Sequence, residues 1–198
     1  MATVVELKEI AVEAPLVDGS KAWTRRLCLF SAPEVAACWL KSAVEAGSVG
    51  GDETDYALLY YTADEIVLDR RERICRSVVY NRDASVRGII PGGSTRLWAG
   101  RDPATCKFRS GDLVGFVDGA RYRVGVVNGL PPSSEEARRW SDVTRGDDIY
   151  LVGVLDAAGS PETNDHEHVA EAELFAVEHE VSPELGAALR KRHEGCGT

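Results

Sequence analysis

Two histidines one residue apart offer the most suggestive chemistry in this chain. His166 and His168 flank Glu167, and because side chains alternate along an extended strand, both imidazoles would lie on one side of it. Imidazole and carboxylate groups together are typical ligands of zinc or manganese. Further ligands lie within reach in the sequence: Asp147, Asp148, Glu171, Glu173 and His179. This cluster predicts a divalent metal site; the alternative is that the histidines lie at the surface or hydrogen-bond a loop.

The sequence patterns of other catalytic sites are absent. There is no G-x-S-x-G nucleophile elbow and no C-x-x-C pair, and the glycine-rich residues 88–93 lack the Lys-Ser/Thr ending of a phosphate-binding loop. Paired carboxylates are numerous, but they are expected in any acidic chain. The sequence therefore favours a protein without enzymatic activity and without a cofactor, the divalent metal apart.

Large aromatic side chains form the second group of candidates. Trp98 and Trp140 lie in or beside predicted loops, and Tyr122 lies in a predicted strand. Trp and Tyr are common anchors at protein interfaces. These three residues predict a surface that binds a protein partner; the alternative is that they fill the end of a hydrophobic core.

Charge and composition narrow the classes of partner. The 198 residues carry a net charge of −9, whereas a general nucleic-acid binder needs a basic face. The same charge is compatible with an acidic inhibitor that mimics nucleic acid, of the kind mobile elements encode. No stretch of the chain is apolar over the roughly 18 residues of a membrane span. We therefore expect no direct contact with nucleic acid or membrane.

Targeting signals and cysteines bear on the compartment. The first residues lack the basic and apolar regions of a signal peptide. Five scattered cysteines indicate reduced, mostly buried thiols. The sequence predicts a cytoplasmic protein and leaves the oligomeric state open.

The elements that would position these groups are mainly strands. Apolar, β-rich runs predict strands at five places: residues 4–12, 23–30, 56–62, 75–80 and 150–155. The first of these strands suits a sheet edge, since three charged residues interrupt it, and the third suits a sheet centre. A further one or two strands are predicted within residues 168–180.

One helix is well defined by its ends and by its apolar spacing. Ser31 and Glu34 have the spacing of a capping box, Pro33 suits the first turn, and Gly47 suits the position after the last turn. The helical spacing predicts one buried stripe, made of Val35, Cys38, Trp39, Ser42, Ala43 and Ala46. Two more short helices are predicted at residues 133–141 and 182–192.

A glycine-rich hairpin is the clearest feature of the second half. Two β-branched runs flank Asp118 and Gly119, which is a strong signal for a tight turn. The run from Gly111 to Val114 (GDLV) and the run from Val124 to Val127 (VGVV) resemble the strands that open small SH3-like barrels. The resemblance covers residues 108–155 and implies a module that binds peptides, nucleic acids or protein domains.

These observations predict an α+β fold. It would be mainly antiparallel β, with a small SH3-like barrel core and two to three short helices. Residues 1–90 would form an N-terminal α+β half and residues 104–194 a barrel half with a C-terminal helix, or both would form a single domain. The favoured function is a non-enzymatic intracellular adaptor that binds a protein. The alternatives are the acidic nucleic-acid mimic and a small metal-dependent hydrolase built on His166 and His168.

Overall fold

Antiparallel strands make up most of the computed structural model. The structure describes residues 2–51, 56–68, 73–91, 103–130, 149–155 and 161–177. The first sheet has the order β2-β1-β3-β4-β5. Its strands are β1 (Ala2–Glu13), β2 (Ala22–Phe30), β3 (Tyr56–Leu68), β4 (Arg73–Asn81) and β5 (Val86–Pro91), with helix α1 (Pro33–Glu45) between β2 and β3.

The second sheet has the order β10-β6-β7-β8-β9. Its strands are β6 (Leu113–Asp118), β7 (Arg121–Gly129), β8 (Ile149–Leu155), β9 (Pro161–Ala170) and β10 (Phe175–Ala176). Two short 3-10 turns accompany them, at Pro103–Thr105 and Glu171–Glu173. All neighbouring strands in this sheet are antiparallel.

Helix α1 covers one face of the first sheet. Its buried residues are Ala36, Leu40 and Ala43. Ala36 and Leu40 belong to the same core cluster as Val5 and Leu7 of β1. Two of the three helix residues are alanines, so the helix can approach the sheet closely and shield its apolar side chains from water.

The opposite face of the first sheet packs against the second sheet. Val12 of β1 shares a buried cluster with Tyr122 and Val124 of β7, and Tyr60 of β3 shares another with Phe175 of β10.

Backbone hydrogen bonds also connect the two sheets. They join the start of β2 and the segment before it to the β6–β7 hairpin. They run from Ala22 N to Ala120 O (2.8 Å), from Tyr122 N to Ser20 O (2.8 Å) and from Gly19 N to Tyr122 O (2.8 Å).

The predicted fold class is wrong. The described residues form two open five-stranded antiparallel sheets with one α-helix, rather than an α+β fold with a small SH3-like barrel core and two to three helices. Charged residues within the first-half strands conceal how long those strands are. Asp64, for example, lies inside β3, where Lys8 and Ser77 bind its carboxylate.

Several predicted elements are confirmed, and others shift. The hairpin is present, but its turn lies one residue later, since Asp118 pairs with Arg121 and Gly119 has a φ of +56°. Strand β3 is central, as expected, whereas β1 lies between β2 and β3 and is no edge. Helix α1 is preceded by Ala32 with no side-chain cap, so the proposed Ser31 capping box does not form.

Some predictions lie outside the described residues. These are the helices at 133–141 and 182–192 and most of the segment between residues 90 and 104, where the two predicted halves would meet. The division into halves 1–90 and 104–194 therefore stays a prediction.

Candidate functional site

The outer side of helix α1 exposes an apolar surface. Val35 is 50% exposed and Trp39 is 37% exposed, and Cys38 between them is also exposed. We call these three residues the Trp39 ridge. They belong to the stripe that the sequence predicted to be buried, and that prediction is wrong for all but Ala43 of its members. The helix buries Ala36 and Leu40 instead, because its second apolar stripe faces the sheet.

Strand β2 runs beside the Trp39 ridge at the edge of its sheet. The ring centroids of Phe30 and Trp39 lie 5.6 Å apart, so the end of the strand and the helix form one surface. In the described part of the chain, residues 24–30 pair only with β1. The outer side of β2 thus offers backbone donors and acceptors next to exposed apolar side chains, which is what an added strand recognises.

A pocket of about 340 Å³ lies near the other end of α1. Helix residue Val44, the loop that follows it, Tyr61 of β3 and the turn between β4 and β5 form its walls. We call it the Tyr61 pocket. Its remaining lining residues are Gly47, Val49, Gly50, Gly51, Arg82 and Asp83. No local pattern in the sequence indicates this pocket, because its residues come from three separate segments.

Tyr61 is fully buried, and its hydroxyl has no hydrogen-bond partner. Burial, and then the nearby Glu9 carboxylate, raise the pKa of Tyr61 to about 12, so the hydroxyl is neutral at physiological pH. Glu9 itself accepts a hydrogen bond from Gly50 N (2.9 Å) and pairs with Arg25 (2.7 Å). Buried hydroxyls nearly always have a partner, so the Tyr61 hydroxyl is an exception.

A buried ion network lies on the opposite face of the same sheet. Lys8 Nζ binds Glu6 Oε2 at 2.9 Å and Asp64 Oδ2 at 2.7 Å, and Arg26 also pairs with Glu6. Burial alone would raise the pKa of Glu6 and lower that of Lys8, but their hydrogen bonds outweigh burial, so the pKa of Glu6 is lowered and that of Lys8 raised. Both groups are held in their charged forms, which favours a structural role over proton transfer.

The histidine cluster lies on β9. His166 pairs with Gly153 and His168 with Leu151 of β8, and both histidine side chains are exposed. Within the described residues, no group of three or more His, Cys, Asp or Glu side chains could hold a metal ion. His179 lies outside the described residues, so the metal site stays a prediction.

The aromatic candidates have different outcomes. Trp98 and Trp140 lie outside the described residues. Tyr122 is 1% exposed and packs between the two sheets. A Cβ on Gly115 would come 1.6 Å from the Tyr122 hydroxyl oxygen, so a glycine is needed opposite this ring. In this structure Tyr122 is a core residue.

None of the four described cysteines is buried. Cys28 and Cys38 are exposed, and Cys75 and Cys106 are partly exposed. The expectation of mostly buried thiols is therefore wrong for these four. Cys38 belongs to the Trp39 ridge, and Cys28 lies on the neighbouring strand.

Comparisons with known proteins give no family for this chain. No protein-family model matches it, and neither a curated protein nor a solved structure is significantly similar to it. In the described residues, no helix has the length and apolar character that crossing a membrane requires.

Proposed function

We propose that this chain is a non-enzymatic, cytoplasmic adaptor that binds another protein through the Trp39 ridge and the outer edge of β2. The observation that carries the proposal is the exposure of Val35 and Trp39 on a helix whose other face is fully packed. Clustered exposed apolar side chains mark interaction sites more often than scattered ones do. Trp is also among the residues that contribute most to binding at interfaces.

The chemistry of this surface defines the kind of partner. An extended segment of the partner would add to β2 by main-chain hydrogen bonds, and its apolar side chains would cover Trp39 and Phe30. Arg25 and Arg26 of β2 are exposed, although each pairs with a glutamate of β1. Because consecutive side chains of a strand point to opposite faces, an acidic residue in the added segment would pair with only one of these two arginines.

The two alternative functions have less support from the described residues. The carboxylates of Glu6, Glu9 and Asp64 are buried and paired with cations, so they do not display phosphate-like charge to a basic partner. His166 and His168 are exposed on β9 without a third ligand among the described residues. A nucleic-acid mimic and a metal-dependent hydrolase thus remain alternatives that no described geometry favours.

The test is quantitative capture of binding partners with matched variants. Wild-type protein, Val35→Asp, Trp39→Asp and Val86→Asp are each used as bait in the same lysate, and captured proteins are quantified by mass spectrometry. Val86 is the control, since it is 60% exposed on β5, at the opposite edge of the sheet. We expect at least one protein to be retained by wild type and by Val86→Asp and lost from both ridge variants.

The interaction is then measured with the purified partner. We expect Trp39→Asp to weaken it by about tenfold or more, which corresponds to a binding hot spot. Equal capture by all four baits would contradict the proposal. Light scattering across a range of concentrations tests whether the ridge instead binds a second copy of this chain. A molar mass that doubles in wild type and not in Trp39→Asp would show self-association and overturn the adaptor role.

A further inference from the structure

The Tyr61 pocket lies on a different part of the first sheet from the edge of β2, and its lining is chemically mixed. Its volume of about 340 Å³ is at the lower end of the roughly 300–1,000 Å³ typical of small-molecule sites. Val44 and Val49 provide apolar walls, and three glycines provide walls without side chains. Such a space suits a compact ligand with one apolar part.

The first polar group of the pocket is the Tyr61 hydroxyl. It is buried and lacks a partner, which costs free energy unless something supplies one. A Cβ at position 50 would lie 3.0 Å from this oxygen, so a glycine there lets the loop pass close to the hydroxyl. A neutral phenol can donate its proton to an anionic oxygen.

The other polar groups are a cation and an anion that are adjacent in sequence. Arg82 and Asp83 both line the pocket, at the turn between β4 and β5. Asp83 Oδ1 accepts hydrogen bonds from Ser85 N (2.9 Å) and Ser85 Oγ (2.6 Å), which fix this carboxylate in place. Arginine is well suited to bind a carboxylate, because its guanidinium is planar and offers parallel donors.

We propose that the Tyr61 pocket binds a free α-amino acid. The ligand's carboxylate would lie between Arg82 and the Tyr61 hydroxyl, its ammonium group would face Asp83, and its apolar side chain would pack against Val44 and Val49. A pair of opposite charges beside an apolar wall matches the two charges and the side chain of such a ligand. This site is separate from the Trp39 ridge, so it stands or falls independently of the proposed adaptor role.

The experiment screens the common L-amino acids one at a time against the full chain by ligand-observed NMR, with calorimetry for those that bind. Each amino acid that binds is compared with its deaminated acid and its decarboxylated amine. We expect one or more apolar amino acids to bind, and both truncated analogues to bind about tenfold or more weakly, because each loses one charged contact.

Three variants show whether the binding occurs in this pocket. We expect Tyr61→Phe and Arg82→Gln to weaken binding of the amino acid by about tenfold. The control is Arg121→Gln, which should leave the affinity unchanged, because Arg121 is an exposed residue of β7. Circular dichroism establishes that all three variants are folded. The proposal is overturned if no amino acid binds, if the deaminated acid binds as tightly as the amino acid, or if Arg82→Gln and Arg121→Gln behave alike.

Discussion

At the scale of single residues, two buried tyrosines have contrasting hydroxyl groups. The Tyr150 hydroxyl donates to Glu171 Oε2 at 2.6 Å and accepts from Phe108 N at 3.3 Å, and burial together with the Glu171 bond raises the pKa of Tyr150. The Tyr61 hydroxyl has no partner. Both side chains are fully buried. Comparing the two residues therefore separates the contribution of a hydroxyl hydrogen bond to stability from the contribution of packing.

Removing each hydroxyl should therefore have different effects. We expect Tyr150→Phe to lower the free energy of unfolding by about 1–3 kcal/mol, because Glu171 loses the hydrogen bond from the hydroxyl and Phe108 N loses its acceptor. We expect Tyr61→Phe to change it by less than about 0.5 kcal/mol, or to raise it, since no bond is lost. Urea unfolding of both variants measures the two values, and an equal loss in both would show that the Tyr61 hydroxyl has a partner after all.

The Glu6–Lys8 pair predicts a specific pH dependence. Hydrogen bonds from Lys8 and Arg26 outweigh burial and lower the pKa of Glu6 below its ordinary value of 4.5. Such a carboxyl stabilises the folded state above its unfolded pKa, and that contribution is lost as the pH falls through the folded pKa. Lys8, whose pKa is raised, behaves in the opposite way and loses its contribution only above about pH 10.5.

We expect Glu6→Gln to flatten the acid side of the stability profile. Wild type should lose stability steeply below about pH 4.5, and the variant should be less stable at neutral pH but decline less steeply on acidification. Urea midpoints measured from pH 7 to pH 3 provide the comparison. Parallel profiles for the two proteins would show that Glu6 has the same pKa in the folded and unfolded chains.

At the scale of elements, helix α1 is apolar on two sides. The side that faces the sheet carries Ala36 and Leu40, and the outer side carries the Trp39 ridge. A helix needs only one apolar stripe to pack on a sheet. The outer stripe stays partly exposed although the sheet-facing stripe already packs on the core, which is why we assign it to a partner.

This assignment predicts different stability effects on the two sides of the helix. Leu40→Ala should lower the free energy of unfolding by about 2–5 kcal/mol, since Leu40 is fully buried and its truncation leaves a cavity. Val35→Ala, on the exposed side, should change it by no more than about 0.5 kcal/mol. Thermal or urea unfolding of the isolated protein measures both changes. A decrease of about 2 kcal/mol in the free energy of unfolding for Val35→Ala would mean that the ridge is covered within the chain itself.

At the scale of the whole molecule, Arg87 connects the two sheets. Its Nε donates to Ala172 O at 2.9 Å, Nη2 donates to Leu174 O, and the guanidinium carbon lies 3.9 Å from the centroid of the Phe175 ring. One side chain of β5 thus holds the 3-10 turn and β10 that follow β9. Lysine has the same charge but cannot provide this forked geometry.

We expect Arg87→Lys to lower the free energy of unfolding by about 2 kcal/mol, since at least one backbone carbonyl loses a charged donor. Amide hydrogen exchange in residues 171–177 should accelerate in the variant, while β1 and β3 stay protected. Arg121→Lys is the control, because Arg121 is exposed. Unchanged exchange in residues 171–177 would show that the two sheets are held together without Arg87.

Most of the individual strands and the helix can be predicted from local patterns in the sequence. Short apolar runs predict strands β2, β3, β4 and β8, because β-propensity acts over a few residues. Asp118 and Gly119 predict the β6–β7 hairpin, although its turn lies one residue later. The extent of α1 was also readable, since Pro33 and Gly47 define its ends.

Which face of each element is buried depends on contacts between residues that are distant in sequence. Helix α1 carries two apolar stripes, and the buried one was selected by the close approach that Ala36 allows, a contact with residues distant in sequence. Strand β3 continues through Asp64 because Lys8, on the neighbouring strand β1, neutralises the carboxylate. The Tyr61 pocket has the same origin: Tyr61, Gly50 and Arg82 converge only when three separate segments pack, so no local pattern in the sequence could reveal it.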